Sequence, residues 1–241
     1  MRVVSRHRWE GAEHLPTGEG FVVVANHLSH ADPLPVADFL DANGRVPRFL
    51  GKAELFEVPA LGWLLRSAGQ IPVHRETNKA GAALASAVAA VRRGECVVVY
   101  PEGTLTRDAS LWPMTGKTGA ARIWWETGCP VVPVAQWGVH ELLAPYGRVP
   151  HVWKRPMIQV RAGPPVPLSR DVGGAETPDF PAVTAQIMAA LTDVLAAIRG
   201  VEPPDEPLDP RTAGLPRTGD PRKNRGDRRA PRPGHTGEAE V

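Results

Sequence analysis

The sequence predicts an α/β layered sandwich: a mostly parallel sheet covered by helices, followed by a disordered C-terminal tail. Three observations carry that expectation. Short valine-rich runs recur along the chain, apolar throughout rather than alternating, as strands buried on both faces require. Helical patterns lie between them, and alternating strands and helices favour parallel pairing. After Gly200 the composition turns to proline, glycine and charge, with almost nothing apolar to bury. The shift marks one domain over residues 1–200 and a disordered Pro/Arg-rich tail over 201–241.

The strand candidates are FVVVA (21–25), RFL (48–50), CVVVY (96–100), PVVPVA (130–135) and MIQVRA (157–162). GQIPVHR (69–75) reads as a further short extended segment. Residues 33–41 form a short helix, with Asp32 as N-cap and proline at its first position. Residues 78–93 are alanine-rich, end on two arginines and stop at Gly94. Residues 116–127 carry Ala120, Ile123 and Trp124 at helical spacing and stop at Gly128. A longer helix covers 180–199 and ends at Gly200.

Composition narrows the function classes. With 42% hydrophobic and 22% charged residues, the chain has the make-up of a soluble globular protein. A formal charge of +2 gives no argument for nucleic acid. Cys96 and Cys129 each adjoin an apolar run and lack metal or redox spacing, so buried free thiols in a reducing cytoplasm are expected. No stretch approaches the roughly 20 apolar residues of a membrane span, and MRVVSRHRWEG has no signal-peptide pattern. Neither secretion nor a transmembrane helix is therefore expected, while peripheral membrane contact stays open. The basic stretch Arg211–Arg232 could meet an anionic surface or simply be solvated.

The chemistry concentrates at strand ends. FVVVAN delivers His27 to the carboxyl end of a buried strand, where open α/β sheets form their sites. An imidazole there serves as a general base when a carboxylate holds its tautomer, and Asp32 lies five residues on. His27, His30 and Asp32 could instead ligate zinc, and Asp32 is also explained as a helix cap. Arg75 follows a short extended segment and offers a planar fork for phosphate. YPEGT (100–104) brings Glu102, Gly103 and Thr104 to a turn at the same sheet edge. Lys117 stands near a helix N-terminus, which favours an anion. Leu111 occupies the first glycine position of a P-loop, and no G-x-S-x-G elbow occurs. Nucleotide hydrolysis and serine catalysis lose their support.

Taken together, NHLSHAD, GQIPVHR, YPEGT and VVPVA, in that order, resemble the glycerolipid acyltransferases, specifically the 1-acyl-glycerol-3-phosphate (lysophosphatidate) acyltransferase family. The resemblance covers about residues 7–165. It implies transfer of a fatty acyl group from acyl-CoA or acyl-carrier protein to lysophosphatidate, giving phosphatidate for phospholipid biosynthesis. His27 would be the base and Asp32 its orienting partner. Arg75, Glu102 and Gly103, in the block that includes Thr104, would hold the acceptor's glycerol phosphate, with Lys117 a further anchor and Pro133 near the acyl chain. No metal or other cofactor is implied beyond the thioester co-substrate. The expected partners are a lysophospholipid, an acyl thioester (on acyl-carrier protein in one form) and a membrane surface, with peripheral placement at the cytoplasmic face of the plasma membrane.

Two departures bear on the details. Leu105 stands where the family commonly has arginine, with Arg107 two residues on as a candidate replacement. Few residues precede the first block, so membrane contact falls to VPALGWLLRSAG (58–69), which reads equally as a core helix. The rival functions are transfer to another lysophospholipid, a metal-dependent hydrolase using His27, His30 and Asp32, and a non-catalytic binder using the tail.

Overall fold

The computed structural model describes residues 4–73, 80–147, 149–171 and 176–215. Seven strands form one sheet: β1 Arg6–Glu10, β2 Phe21–Ala25, β3 Pro47–Lys52, β4 Ile71–Val73, β5 Cys96–Val99, β6 Val131–Trp137 and β7 Met157–Ala162. Their spatial order is β1-β7-β6-β2-β5-β3-β4, and every neighbouring pair is parallel except β6 with β7. The helices are α1 Pro33–Ala42, α2 Leu61–Ser67, α3 Ala80–Arg92, α4 Gly119–Thr127, α5 Val139–Leu142 and α6 Phe180–Arg199.

The valine runs explain the layers. Successive side chains of a strand point to opposite faces, so a strand covered on both sides must be apolar at every position. In β2, Phe21 and Val23 join Val36, Phe39 and Leu40 of α1 in one cluster. Val22 and Val24 point the other way, to Val88 and Val91 of α3 and Ile123 of α4. Cys96 and Val98 of β5 share the α1 face, while Val97 and Val99 share the other. Each such apolar side chain contributes about 1.5–3 kcal/mol on burial, which makes the β2–β5–β6 centre the core of the domain.

The parallel register sets where a site can form. Val24 pairs with Val99 of β5 and with Pro133 of β6, so β2, β5 and β6 leave the sheet at one edge. β3 and β4 run the same way and end at that edge too.

Several elements differ from expectation. β1 was not read as a strand because RHRWE has no apolar run; it is an edge strand, half exposed, paired with β7. α4 starts at Gly119 rather than Gly116, because Lys117 N–H donates to Pro101 O at 2.8 Å and the preceding residues stay in a loop. Asp32 is not a cap: it has helical dihedrals and no side-chain bond to the first turn. α6 is long and apolar enough to cross a membrane by length and composition, which amends the reading that no stretch approaches that size. It lies on β6, burying Ile187, Leu191 and Leu195 in the domain, as a core helix does.

α2 settles as an exposed element rather than a core helix. Trp63 is 69% exposed and Leu64 56%, with Leu55, Val58 and Leu61 also open. Cys96 and Cys129 are free and buried. Residues 201–215, assigned by composition to the tail, lie against the domain: Thr115 N–H donates to Leu208 O at 3.0 Å. Residues 216–241 lie outside the described residues.

Candidate active site

β2 is buried along its whole length, so its last residues have little freedom in where they emerge. Asn26 continues the sheet with its side chain. Its Nδ2 donates to Gln136 O at 3.0 Å, its Oδ1 accepts Gln136 N–H at 2.8 Å, and Gln136 Nε2 donates to Asn26 O at 3.1 Å. The pairing of β2 with β6 is thereby extended by one residue, and His27 starts from a fixed point.

The chain then loops back on itself. Asp32, fully buried, places Oδ2 2.8 Å from His27 Nδ1, 2.5 Å from Leu28 N and 2.9 Å from Ser29 N. A carboxylate accepting two backbone N–H groups holds its own loop, and the same oxygen accepts the imidazole N–H. Ser29 Oγ adds a bond to Leu143 O at 2.7 Å. The five-residue spacing is thus a closed turn, with the ring's proton on Nδ1 and Nε2 left as the basic atom.

The second strand exit locks the first. His27 N–H donates to Glu102 Oε1 at 3.0 Å, and Thr106 N–H donates to His27 O at 2.7 Å. Tyr100 stacks on the His27 ring with centroids 4.3 Å apart. Burial raises the Tyr100 hydroxyl well above its ordinary range, so the phenol stays neutral beside the imidazole. The ring of His27 keeps 18% of its surface open.

Glu102 is only 4% exposed, and its second oxygen accepts Met114 N–H at 3.1 Å. Burial pushes this carboxyl up to about 8, against the downward pull of the two N–H donors. With both oxygens committed to the backbone, Glu102 braces His27 rather than reaching out to an acceptor. That corrects the ligand role expected for it.

Gly103 has φ 68°, and a Cβ there would lie 2.5 Å from Lys117 Nζ. Glycine is needed on both counts. Glu102, Thr104 and Lys117 line one cavity of about 680 Å³, which extends from the turn towards α6. Two of the remaining expected ligand positions, Thr104 and Lys117, therefore come together beside the Glu102 turn. Arg75 lies outside the described residues. Pro133 is buried in β6, its ring facing Gly163 and not the cavity. Leu105 is buried, and Arg107 is half-buried in the following loop.

The metal reading loses its geometry. Among the described residues, no group of three His, Cys, Asp or Glu side chains is arranged to hold a metal ion. His30 turns to Tyr146, ring to edge at 5.9 Å, and burial followed by the charge of His27 lowers its basicity.

Asn26, Gln136, Tyr100 and Thr106 were not singled out from the sequence. For Asn26, a polar residue directly after a fully apolar strand was the available signal. Nothing local points to Gln136, whose partner lies 110 residues away.

A His–Asp pair at the carboxyl edge of a parallel sheet, its ring partly open and its main chain tied to the Glu102 turn that lines the cavity, is a layout suited to general-base chemistry. The family model described as Acyltransferase matches residues 6–137, and the chain belongs to the acyltransferase family. It is 31% identical over 136 residues to 1-acyl-sn-glycerol-3-phosphate acyltransferase BAT2, chloroplastic, of Brassica napus, a match covering 56% of this chain and 38% of that one. It is 32% identical over 127 residues to the lyso-ornithine lipid O-acyltransferase of Pseudomonas aeruginosa, covering 51% and 46%. The chain thus spans about half or less of these relatives' lengths. Among solved structures it is similar to the 1-acyl-sn-glycerophosphate (LPA) acyltransferase PlsC from Thermotoga maritima, with TM-score 0.61, 25% identity, and 84% and 76% of the two chains covered.

Proposed function

We propose that this chain transfers a fatty acyl group from an acyl thioester to the free hydroxyl of 1-acyl-glycerol-3-phosphate, forming phosphatidate. The observation that carries the reading is the Nδ1–Asp32 bond of 2.8 Å, which commits one ring nitrogen and leaves the other for the acceptor.

The reaction then runs in balanced steps. His27 Nε2 takes the hydroxyl proton as the oxygen attacks the thioester carbonyl, and Asp32 stabilises the imidazolium that forms. The tetrahedral intermediate collapses, the C–S bond breaks, and the imidazolium proton goes to the departing thiolate. No covalent enzyme intermediate is needed, because a thiolate leaves readily. Thr104 and Lys117 hold the acceptor's phosphate, together with Arg75, so that its hydroxyl is aimed at Nε2. The acyl donor is acyl-CoA or acyl-carrier protein, and no metal or other cofactor takes part.

The acceptor and product live in a bilayer, and the exposed face of Leu55, Val58, Leu61, Trp63 and Leu64 supplies a docking surface. β3 runs parallel to β5, so this segment, which follows β3, begins at the same sheet edge as His27 and Tyr100. A tryptophan three residues from Arg66 on the same short helix suits the headgroup boundary. The protein works there as a peripheral enzyme at the cytoplasmic face of the plasma membrane.

The test is direct. Purified protein is given lysophosphatidate with acyl-CoA or acyl-carrier protein, and phosphatidate is measured by mass spectrometry. Product with either donor supports the reading; none with both contradicts it. A second acceptor belongs in the same assay, because the Pseudomonas relative is named for lyso-ornithine lipid and Leu105 replaces the family's arginine here.

A further inference from the structure

The cavity beside the catalytic turn does not end at Lys117. It continues along α6 over Pro181 to Asp193, and its outer wall is the chain after Gly200, from Pro203 to Arg211. Those twelve residue steps of helix amount to roughly 18 Å. A fatty chain fills one leaflet of a hydrocarbon core about 30 Å thick, so it is about 15 Å long. The volume, about 680 Å³, is that of a small-molecule site.

The lining has a direction. Trp112, Pro113, Met188, Ala189 and Pro204 give an apolar run, whereas Lys117 stands where the cavity meets the Glu102–Thr104 turn. The carboxylates of Asp193, Asp205 and Asp209 line it elsewhere and outnumber Arg211 at the far end of the wall, so they disfavour an anion away from Lys117. An occupant with one anionic end and one apolar chain therefore lies with its charge at Lys117, against the Gly103 turn whose Glu102 holds the His27 main chain.

We propose that this cavity holds the fatty chain that the lysophospholipid acceptor already carries, and that the 203–211 segment is the wall that closes over it. The proposal rests on the acceptor reading above. The donor fits the charge pattern poorly: in acyl-CoA the phosphates are separated from the thioester by a long arm and would not stand next to His27. The acceptor's phosphate and reacting hydroxyl are neighbours, as suits a lysine held one turn residue away from the Glu102 that bonds His27. Strap and cavity together make acceptor chain length a selected property.

The test fills the groove. Ala185 and Ala189 are exposed on α6 and line the cavity, so Ala189→Phe and Ala185→Phe narrow it without disturbing the core. Two readouts apply to full-length protein, with thermal melting to confirm that each variant is folded. The first is calorimetric binding of 16-carbon and 8-carbon lysophosphatidate below their micelle concentrations. The expected result is a 16- to 8-carbon affinity ratio about tenfold lower in both variants, as when two methylenes are returned to water. The second is the chain-length profile for acceptor and for donor in the transfer assay, where the acceptor profile should shift and the donor profile should not. An unchanged affinity ratio overturns the proposal, and so does a shift confined to the donor profile. If phosphatidate never forms yet the affinity ratio falls, the lipid site stands and the reaction assigned above is what fails.

Discussion

The backbone N–H of His27 donates to the side chain of Glu102 at 3.0 Å, although 75 residues separate them. The bond ties the exit of β2 to the exit of β5. His27 is thus held from two sides: Asp32 fixes its ring and Glu102 fixes its main chain. Each hold can be broken separately.

Replacing Asp32 with asparagine keeps an amide oxygen for the three N–H groups that share Oδ2 but removes the negative charge. The imidazolium formed when His27 takes a proton then loses its stabilising counter-charge. We expect kcat to fall by roughly 10²–10⁴, in line with the loss of an orienting carboxylate, while acceptor KM changes little. Steady-state kinetics on folded variant protein checks this. A fall of less than threefold would contradict it.

Glu102 gives a pH signature. Its carboxyl is raised by burial from 4.5 to about 8, so the folded state holds the proton where the unfolded chain has released it. The associated stability is complete below about pH 4.5 and is lost as pH rises through about 8. Thermal melting of wild type should decline across that window. In Glu102→Gln the decline should be smaller, although the variant is less stable in acid because an amide N–H₂ then faces a backbone donor. Parallel pH profiles for the two proteins would contradict the assignment.

Gly103→Ala tests the turn. The positive φ costs roughly 1–2 kcal/mol for a residue with a Cβ, and that Cβ also displaces Lys117 Nζ. The expected outcome is a lower melting temperature together with a raised KM for the acceptor. An unchanged KM would remove Lys117 from acceptor binding.

The α2 face makes a prediction about partition rather than chemistry. Trp63→Asp removes an exposed side chain that supports nothing in the core, so melting should stay within a degree or so of wild type. Co-sedimentation with phosphatidylglycerol-containing vesicles should drop severalfold, and turnover of lysophosphatidate in vesicles should drop with it. Equal sedimentation of both proteins would place the membrane contact elsewhere.

Much of this architecture was legible because burial on both faces leaves a plain signature. FVVVA and MIQVRA were read to the residue, and α6 was read from Phe180 to the stop at Gly200. β1 was missed because an edge strand with one covered face can be as polar as RHRWE. The His27–Asp32 pair could be read from spacing, yet its geometry could not. Asp32 was expected to cap α1, and instead its oxygen turns back to the loop that precedes it. Glu102 could be placed at the right sheet edge by position alone; its commitment to two backbone donors depends on Met114, in a loop of no regular pattern. The wall formed by residues 203–211 was hidden for a further reason. A proline-rich segment buries little of itself, so its composition looks unfolded even where a helix and a loop hold it.

The central claim is that His27 is a base without a metal. The most direct measurement compares wild type with His27→Ala in the lysophosphatidate transfer assay, each with and without a chelator. The account predicts transfer by wild type that is indifferent to chelator and at least 10³-fold lower in the variant, the scale of a lost general base that also anchors the transition state. Activity abolished by the chelator, or retained without His27, would contradict it.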